Sequence, residues 1–278
     1  MVATPIGNLE DISLRALNCL ARADTIAAEY TRVTARLLER HRIQAKLVPV
    51  HEHNERRAAE RILELLACGK TVALVSDAGT PGVSDPGAAV VARARAAGFR
   101  VVPIPGANAA VTALSAAGIA DGPFLFAGFL PAKPSARRKA LRTFGVLPYT
   151  LLFYEAPHRV AECVKDLATT LGPERVVVIA RELTKLFEQL HQCPLAEAAS
   201  WLEADADRLR GEFVLIVQGA PSANQAAEAG WETVLATLLA DLPLAQAVKL
   251  ACKLTGMKKN AVYARALELA QRASVLHQ

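Results

Sequence analysis

Two short charged segments contain the side chains best suited to proton transfer. EAPHR (155–159) and RELTK (181–185) each follow an apolar run that is typical of a β-strand. A positioned base assists a weak nucleophile such as a hydroxyl group. The imidazole of His158, the carboxylate of Glu182 and a desolvated Lys185 are three candidate bases, and the residues alone leave the choice between them open.

The same segments also allow purely structural roles. His158 can cap the helix that is predicted to begin beside it. Arg159 and Arg181 can serve only to bind phosphate. Glu29, a fourth candidate base at the end of the run TIAAE, can instead pair with Arg32.

Three turns rich in glycine and proline offer a different kind of surface. The longest is VSDAGTPGVSDPG (75–87), and ATPIGN (3–8) and PIPGAN (103–108) repeat its order of strand, turn and helix. Glycine lets the backbone lie against a ligand, and proline stiffens the turn. Open α/β sheets bind ligands at the carboxyl ends of parallel strands, so we predict that the three turns line one crevice. None of them is a nucleotide-binding GxGxxG or GxxxxGK[ST] motif.

Apolar runs and helical patterns alternate through the first part of the chain, which predicts a parallel sheet with helices on both faces. A second α/β unit follows, in which LFEQLHQ (186–192) is predicted to be an antiparallel strand. The segment GIADGP (118–123) divides this region into an N-terminal α/β domain, residues 1–118, and a second α/β domain, residues 119–220. A small-polar linker and three short helices are predicted for residues 221–278. The last two helices, joined by Gly256-Met257, resemble a helix-turn-helix.

A further strand is predicted for residues 100–104, before the third turn. The chain begins at the last residues of what should be its first strand. We therefore expect that first strand to be short.

Composition narrows the class of protein. The chain has 278 residues, of which 52% are hydrophobic and 21% charged, as expected for two folded domains. A net charge of +5 permits a polyanionic partner without requiring one. Five cysteines without CxxC or Cys/His spacing predict reduced thiols, no metal site and a cytoplasmic location. No apolar run approaches the ~20 residues of a membrane helix.

A basic cluster follows the proposed domain boundary. No acidic residue lies between Gly122 and Tyr154, and one predicted helix and its entry loop carry five cations: Lys133, Arg137, Arg138, Lys139 and Arg142. We predict that they contact phosphate; the alternative is a solvated helix face. An exposed Phe129 would stack on a base, whereas Phe124 and Phe126 are expected in the core.

Several motifs together resemble those of one family. ATPIGNLEDIS, SDAGTPGVSDPG, IPGANAAVTAL, GFLP, LLFYEAPHR and RELTK occur in this order. They are similar to motifs of the RsmI family, the 16S rRNA (cytidine-2′-O)-methyltransferases of the tetrapyrrole methylase superfamily, over nearly the whole chain. The resemblance implies two α/β domains with a cofactor cleft between them and a small helical extension.

The resemblance also implies an activity and partners. The cofactor would be S-adenosylmethionine, and the acceptor the ribose of a cytidine, conventionally cytidine 1402, in the decoding centre of 16S rRNA in the small ribosomal subunit. A homodimer is implied as well. Methyl transfer from a sulfonium needs mainly positioning, so backbone and apolar contacts should surround the cofactor.

Residues that match the family's motifs can be named. Those implied to contact the cofactor are Pro5, Asp77, Ala78, Gly79, Thr80, Val83, Asn108 and Ala109 in the first domain and Tyr154, Glu155 and Leu183 in the second. Those assigned to RNA, besides the five cations of the basic cluster, are Arg32, Arg159, Lys258 and Lys259. For the two lysines of the tail, a helical hairpin that only packs on itself is an equally good interpretation.

The chain departs from the family's patterns at two places. The superfamily's Gly-Asp-Pro is Gly79-Thr80-Pro81 here, a change that RsmI-type chains share. The family's Glu-Asp-Thr-Arg is Glu29-Tyr30-Thr31-Arg32. Because the other three residues remain, a capping or supporting role for the family's Asp fits better than direct action.

Two other functions explain part of these features. A small-molecule methylase of the tetrapyrrole or diphthamide type explains the turns but leaves the basic cluster unused. A non-catalytic RNA-binding protein explains the charge but not the turns. Cofactor binding separates a non-catalytic RNA-binding protein from the two kinds of methyltransferase. RNA dependence of methyl transfer separates the rRNA methyltransferase from the small-molecule methylase. Whether Mg²⁺ is needed and whether free rRNA or an assembled subunit is bound stay open.

Overall fold

The computed structural model describes residues 1–119, 122–221, 231 and 234–275. These form two compact units, Met1–Gln218 and Gly219–Gln278. The break between the units lies two residues before the predicted boundary at residue 220. The predicted linker at 118–123 lies partly outside the described residues, and the predicted linker at 221–230 lies almost entirely outside them.

The first sheet is parallel, as predicted. Its strands are β1 (Thr25–Ala28), β2 (Leu47–Pro49) and β3 (Val72–Val75), in the order β2-β1-β3. Ala28 pairs with both Pro49 and Val75, so all three strands end at the same edge. That edge is where the central turn begins.

Helices cover both faces of this sheet. They are α1 (Leu14–Arg22), α2 (Thr31–Arg40), α3 (Glu55–Ala67) and α4 (Ala88–Ala96), while α5 (Ala109–Ala117) follows the third turn. Ile26 and Ala28 pack in a cluster with α1 and α2, whereas the intervening Ala27 packs in a cluster with α3 and α4. This alternation follows from the two-residue repeat of a strand.

The prediction of a strand at residues 100–104 is wrong for most of that segment. Only Ile104 forms a bridge, with Val2. Met1 and Val2 lie between this segment and β3: Ile104 N–H donates to Met1 O at 2.8 Å and Val2 N–H donates to Leu74 O at 2.9 Å. A cavity of about 590 Å³ with mainly apolar walls lies beside β3 at this point.

The second sheet is mixed. It contains β4 (Phe124–Phe129), β5 (Thr150–Glu155), β6 (Val176–Arg181), β7 (Gln189–Pro194) and β8 (Phe213–Val217), in the order β4-β5-β8-β6-β7. Only β4 and β5 are parallel; β8 runs antiparallel to both of its neighbours, and β7 antiparallel to β6. The antiparallel strand predicted at residues 186–192 is confirmed as β7, whereas the antiparallel direction of β8 was not predicted, because strands buried on both faces look the same in either direction.

The two faces of the second sheet pack on different partners. One face, with Leu151 and Phe153, packs on α6 (Pro134–Phe144), α7 (Val160–Leu171) and α8 (Leu195–Glu203). The other face, with Leu152, Val178 and Ile216, packs on Ala110, Ala113 and Ala117 of α5. The last helix of the first domain thus supplies a layer of the second.

The second unit is helical. Residues 234–241 are helical (α9), and α10 (Leu244–Thr255) and α11 (Lys259–Val275) follow. Gly256 ends α10 with a φ of 71°, a left-handed conformation that favours glycine. Leu235, Val248 and Val262 form part of a small core between the three helices. Within the described ranges, no helix combines the length and apolar character needed to cross a membrane.

Candidate active site

The three predicted turns line one cavity of about 300 Å³. The first domain contributes Ile6, residues 78–80, residues 83–85, Asn108 and Ala109. The second domain contributes Phe129, residues 154–157, Leu183, Lys185 and residues 212–214. The cavity therefore lies between the two α/β domains, as the family resemblance implies.

Hydrogen bonds hold the turns against each other. Thr4 and Gly79 exchange backbone hydrogen bonds of 2.9 and 3.0 Å, and Thr80 Oγ1 donates to Ala107 O at 3.1 Å. Gly79 has a φ of 80°, in the left-handed region. Across the cavity, Ala110 N–H donates to the hydroxyl of Tyr154 at 3.2 Å and so links the start of α5 to the end of β5.

Most residues assigned to the cofactor line this cavity. They are Ala78, Gly79, Thr80, Val83, Asn108, Ala109, Tyr154, Glu155 and Leu183. Two do not line it: Pro5 is buried, and the carboxylate of Asp77 accepts the Tyr30 N–H at 3.0 Å. Asp77 therefore organises the start of α2.

The sequence interpretation missed other lining residues. Ser84 and Asp85 lie in the same central turn, so their position next to the selected residues was the available signal. For residues 212–214 the sequence offered no such signal. Because β8 is antiparallel, its amino end, and not the carboxyl end that ligand sites in parallel sheets use, reaches the cavity.

Lys185 is a cation in this structure. Its Nζ lies 2.7 Å from Glu182 Oε1 and 2.7 Å from Glu212 Oε2. Burial opposes the charge, but the hydrogen bonds to these two carboxylates outweigh burial and raise the pKa of Lys185. These contacts do not support the predicted role of Lys185 as a desolvated base.

Glu182 is correspondingly a poor base. Burial works against its ionisation, but hydrogen bonds from Lys185 and from the Glu212 N–H outweigh burial and lower its pKa. His158 is exposed and does not line the cavity. Neither candidate has the surroundings of a proton acceptor for a group bound in the cavity.

Glu155 and Arg159 form a structural pair. Glu155 is only 2% exposed, and its Oε1 accepts the Ala156 N–H at 2.9 Å and lies 3.2 Å from Arg159 Nε. Arg159 Nη2 also donates to Leu130 O at 2.6 Å. These contacts occupy the guanidinium of Arg159, so its assignment to RNA phosphate is not supported.

The carboxylates beside the carboxyl edge of the first sheet favour protonation. Glu29 accepts the Asp77 N–H at 3.3 Å and forms no ion pair with Arg32 in the described structure. Burial is the main cause that raises the pKa of Glu29 and of Asp77. Burial, followed by the charge of Glu29, raises the pKa of Asp85 to about 6.

The basic cluster divides into a buried and an exposed part. Arg137 is 1% exposed, and its Nε lies 2.6 Å from Asp166 Oδ2 of α7, so its predicted contact with RNA is wrong. Arg138 is half-buried and shares Asp166, with Nη1 2.9 Å from Oδ1. The exposed cations are Lys133, Lys139 and Arg142, together with Arg32 and, in the second unit, Lys258 and Lys259.

The phenylalanines of β4 only partly follow the prediction. Phe129 is 54% exposed and packs edge-to-face on Tyr154, with ring centroids 5.6 Å apart. Phe126 packs against the core shared with α5. Phe124 was expected in the core but is 46% exposed, because β4 is an edge strand.

Comparison with known proteins identifies the family. The profile of the Tetrapyrrole (Corrin/Porphyrin) Methylases matches residues 1–199, and that of the RsmI C-terminal HTH domain matches residues 225–270. A relative named "Ribosomal RNA small subunit methyltransferase I" from Escherichia coli O157:H7 is 49% identical, over 96% of this chain and 94% of the relative. The chain belongs to the RsmI family of tetrapyrrole methylases. A Pseudomonas aeruginosa relative of the same name is 48% identical over 96% of each chain.

Membership of the RsmI family makes the chain a methyltransferase. Solved structures at lower identity share its fold. The methyltransferase CobJ has a TM-score of 0.58 at 23% identity, covering 77% of this chain and 91% of its own. Diphthine synthase has a TM-score of 0.60 at 18% identity, covering 78% and 88%. A uroporphyrin-III C-methyltransferase from Thermus thermophilus, in complex with S-adenosylhomocysteine, has a TM-score of 0.55 at 22% identity, covering 78% and 95%.

The fold prediction is therefore confirmed: two α/β domains of tetrapyrrole-methylase type, with a helical RsmI-type extension. The described residues contain no group of three or more His, Cys, Asp or Glu side chains that could hold a metal ion.

Proposed function

We propose that this RsmI-family chain transfers a methyl group from S-adenosylmethionine to the 2′-hydroxyl of a cytidine ribose in 16S rRNA of the small ribosomal subunit, conventionally cytidine 1402 in the decoding centre. The observation that carries the proposal is the cavity of about 300 Å³ that the three Gly/Pro turns and the second domain enclose. The relatives named for methylation of small-subunit ribosomal RNA direct this chemistry toward RNA.

The cavity walls suit a sulfonium cofactor. Ligand sites of roughly 300–1,000 Å³ accept a molecule of this size. Ile6, Val83, Leu183 and Val214 give the cavity apolar walls, and the bare backbone at Gly79 allows close approach. Three carboxylates and one lysine line the cavity, which leaves a negative balance that favours a cation.

Positioning is the main task of these residues. S-adenosylmethionine supplies a methyl group on a sulfonium whose leaving group departs neutral. The turns at residues 78–80 and 108–109 would hold the cofactor on the first domain, and Tyr154 and Leu183 would cover it from the second. Fixing the direction of approach in the cavity would supply much of the rate enhancement.

RNA would reach the cavity past an exposed basic surface. Phe129 lines the cavity and is exposed, and α6, which follows β4, carries Lys133 at its start and the exposed Lys139 and Arg142. Stacking on Phe129 and phosphate contacts by these cations are consistent with recognition of a single-stranded nucleotide. Lys258 and Lys259 of the extension and Arg32 are further phosphate contacts in this proposal.

Transfer to defined substrates tests the proposal. The protein is mixed with labelled S-adenosylmethionine and small subunits that lack the modification, and nuclease digestion with mass spectrometry locates the label. We expect label on one cytidine ribose, and none on subunits that already carry the methyl group. Cofactor binding without transfer to subunits or to free 16S rRNA would contradict the RNA substrate and favour a small-molecule acceptor. Absence of cofactor binding would contradict both.

A homodimeric state and a cytoplasmic location belong to the same proposal. The family resemblance suggests the dimer, and the absence of disulfide and metal spacing in the cysteines suggests the reducing compartment. Sedimentation of the purified chain at micromolar concentration distinguishes a monomer from a dimer.

A further inference from the structure

The three carboxylates that line the cavity differ in how they are neutralised. Glu155 lies 3.2 Å from Arg159, and Glu212 lies 2.7 Å from Lys185. Asp85 also lines the cavity, and the described residues give it no ion pair with a lysine, arginine or histidine. Asp85 is therefore the cavity carboxylate whose charge a basic side chain does not already balance.

The central turn holds Asp85 against the second domain. Its neighbour Ser84 has a φ of 64°, an uncommon conformation for a residue with a side chain. A Cβ atom added at Gly128 would lie 2.9 Å from Ser84 Oγ, so the turn and β4 approach each other closely there. Asp85, next to Ser84 in this turn, lines the same cavity as Phe129, the residue proposed to stack on the acceptor nucleotide.

The charges around Asp85 favour proton uptake. Glu29, just after β1, and Asp77, just after β3, both raise the pKa of Asp85, although burial is the largest cause and a hydrogen bond with Ser76 opposes it. Lys185 and Tyr154 line the same cavity, but two carboxylates already hold Lys185. The resulting pKa of about 6 lies in the range where a carboxylate is both ionised at neutral pH and able to accept a proton.

We propose that Asp85 is the catalytic residue that takes the proton from the acceptor hydroxyl; this inference rests on the function proposed above. The hydroxyl oxygen forms a bond to the methyl carbon, the carbon–sulfur bond breaks, and its electron pair stays on sulfur. The hydroxyl proton passes to a carboxylate oxygen of Asp85. The positive charge of the sulfonium and the negative charge of the carboxylate are thereby both removed, so the step balances within the cavity.

The variant Asp85→Asn tests this role, because it keeps the shape of the side chain and removes its basicity. We expect the single-turnover rate on unmodified subunits to fall roughly 10²–10⁴-fold, with a dissociation constant for S-adenosylmethionine close to that of the wild type. Asp207→Asn, an exposed carboxylate 74% open to solvent, is the matched control and should keep the wild-type rate.

The pH profile separates proton transfer from a structural role. The wild-type rate should rise about tenfold per pH unit below pH 6 and level off above, since the raised pKa of Asp85 is about 6. Asp85→Asn should lose this break, and Asp85→Glu should keep a break at a displaced pH. A rate of Asp85→Asn near that of the wild type, or a break that survives in it, would overturn the inference.

Two further outcomes are informative. If Asp85→Asn does not fold, the Asp85→Glu profile decides, and an unmoved break rejects the role of Asp85. If the wild type transfers no methyl group to RNA, the proposed function fails by itself, independently of the variants.

Discussion

Two arginines of α6, five residues apart, have different surroundings. Arg137 points into the domain toward Asp166 and Glu162 of α7, whereas Arg142 is exposed. A buried charge without its partner is costly, while an exposed arginine is free to meet phosphate. Stability should therefore depend on the first and RNA affinity on the second.

Removing the charge of Asp166 should destabilise the protein. In Asp166→Asn the guanidinium of Arg137, whose side chain is 1% exposed, loses its nearest counter-charge. We expect the free energy of unfolding in urea to fall by about 3 kcal/mol. Arg142→Met should stay within about 0.5 kcal/mol of the wild type and instead weaken RNA binding. Similar unfolding energies for the two variants would contradict the buried-pair interpretation.

The ion pair between Lys185 and Glu182 should make stability depend on pH in two places. The folded-state pKa of Glu182 is lowered, so its contribution is present above the unfolded value of 4.5 and is lost as the pH falls through the folded value. The pKa of Lys185 is raised, so its contribution is present below 10.5 and is lost as the pH rises through the folded value.

Lys185→Met should therefore differ most from the wild type between about pH 5 and pH 10. Unfolding free energies at pH 3, 7 and 11 measure this difference. The control is Lys165→Met, which breaks an exposed pair with Glu203 and should have a small effect at every pH. A Lys185→Met effect that is equal at pH 3 and pH 7 would show that the pair contributes nothing beyond packing.

Local turn chemistry is the part of the site that the sequence could predict. Ala78, Gly79, Thr80 and Val83 lie on one stiff turn, so their shared position follows from the chain itself. Arg137 is held by a carboxylate 29 residues away, and Lys185 by one 27 residues away as well as by Glu182 in its own motif. A pattern within a few residues cannot show which distant acid lies opposite a cation, so the partner of Arg137 and the second partner of Lys185 were missed.

At the scale of elements, helix α2 begins without a side-chain cap. Tyr30 occupies its N-cap position with φ −112° and ψ 107°, but makes no capping hydrogen bond. By contrast, Ser13 caps α1 and Asn108 caps α5 through side-chain oxygens. Tyr30 is the position where the family has Asp, an effective capping residue.

Tyr30→Asn should therefore stabilise the protein. Tyr30 is 63% exposed, so little packing is lost, and the amide oxygen gains a free N–H in the first turn of α2. We expect the free energy of unfolding to rise by about 0.5–1 kcal/mol. Tyr30→Ala removes the same ring without adding an acceptor and is the control; equal stability of the two variants would show that capping is not the cause.

Strand existence was easier to predict than strand direction or pairing. The apolar run of β8 was identified, but not that it runs antiparallel to β5 and β6. Residues 100–104 have the apolar pattern of a strand, yet form a single bridge, between Ile104 and Val2. Both properties depend on partners, which the composition of a single segment does not specify.

At the scale of the whole first unit, a close contact at Gly7 joins the two α/β domains beside the cavity. A Cβ atom at Gly7 would lie 2.5 Å from Lys185 Cγ and 3.0 Å from Leu183 O. Asn8 N–H donates to Thr184 Oγ1 at 3.1 Å in the same place. The first turn and the turn after β6 thus touch where they enclose the cavity.

Gly7→Ala should separate these turns. The added methyl group has no room, so we expect a loss of about 1–3 kcal/mol in unfolding free energy, as for overpacked sites, and weaker binding of S-adenosylmethionine in calorimetry. Gly98→Ala is the control, because Gly98 has a φ of 82° and nothing within 4 Å. It should cost roughly 1 kcal/mol through backbone strain alone and leave cofactor binding unchanged. Equal cofactor affinity in both variants would contradict the role of this contact.

The bond between Asn8 and Thr184 joins residues 176 positions apart. A ribosome that adds 5–20 residues per second needs roughly 10–35 s to synthesise that interval. The alanine face of α5, which packs on the second sheet in the finished protein, is complete at residue 117, whereas β8, the last strand of that sheet to be made, ends at residue 217. At the same rate, that face lacks part of its cover for roughly 5–20 s. The last wall of the cavity is completed only after β8 emerges. The newborn first domain therefore waits with an uncovered apolar surface, the kind of surface that chaperones bind.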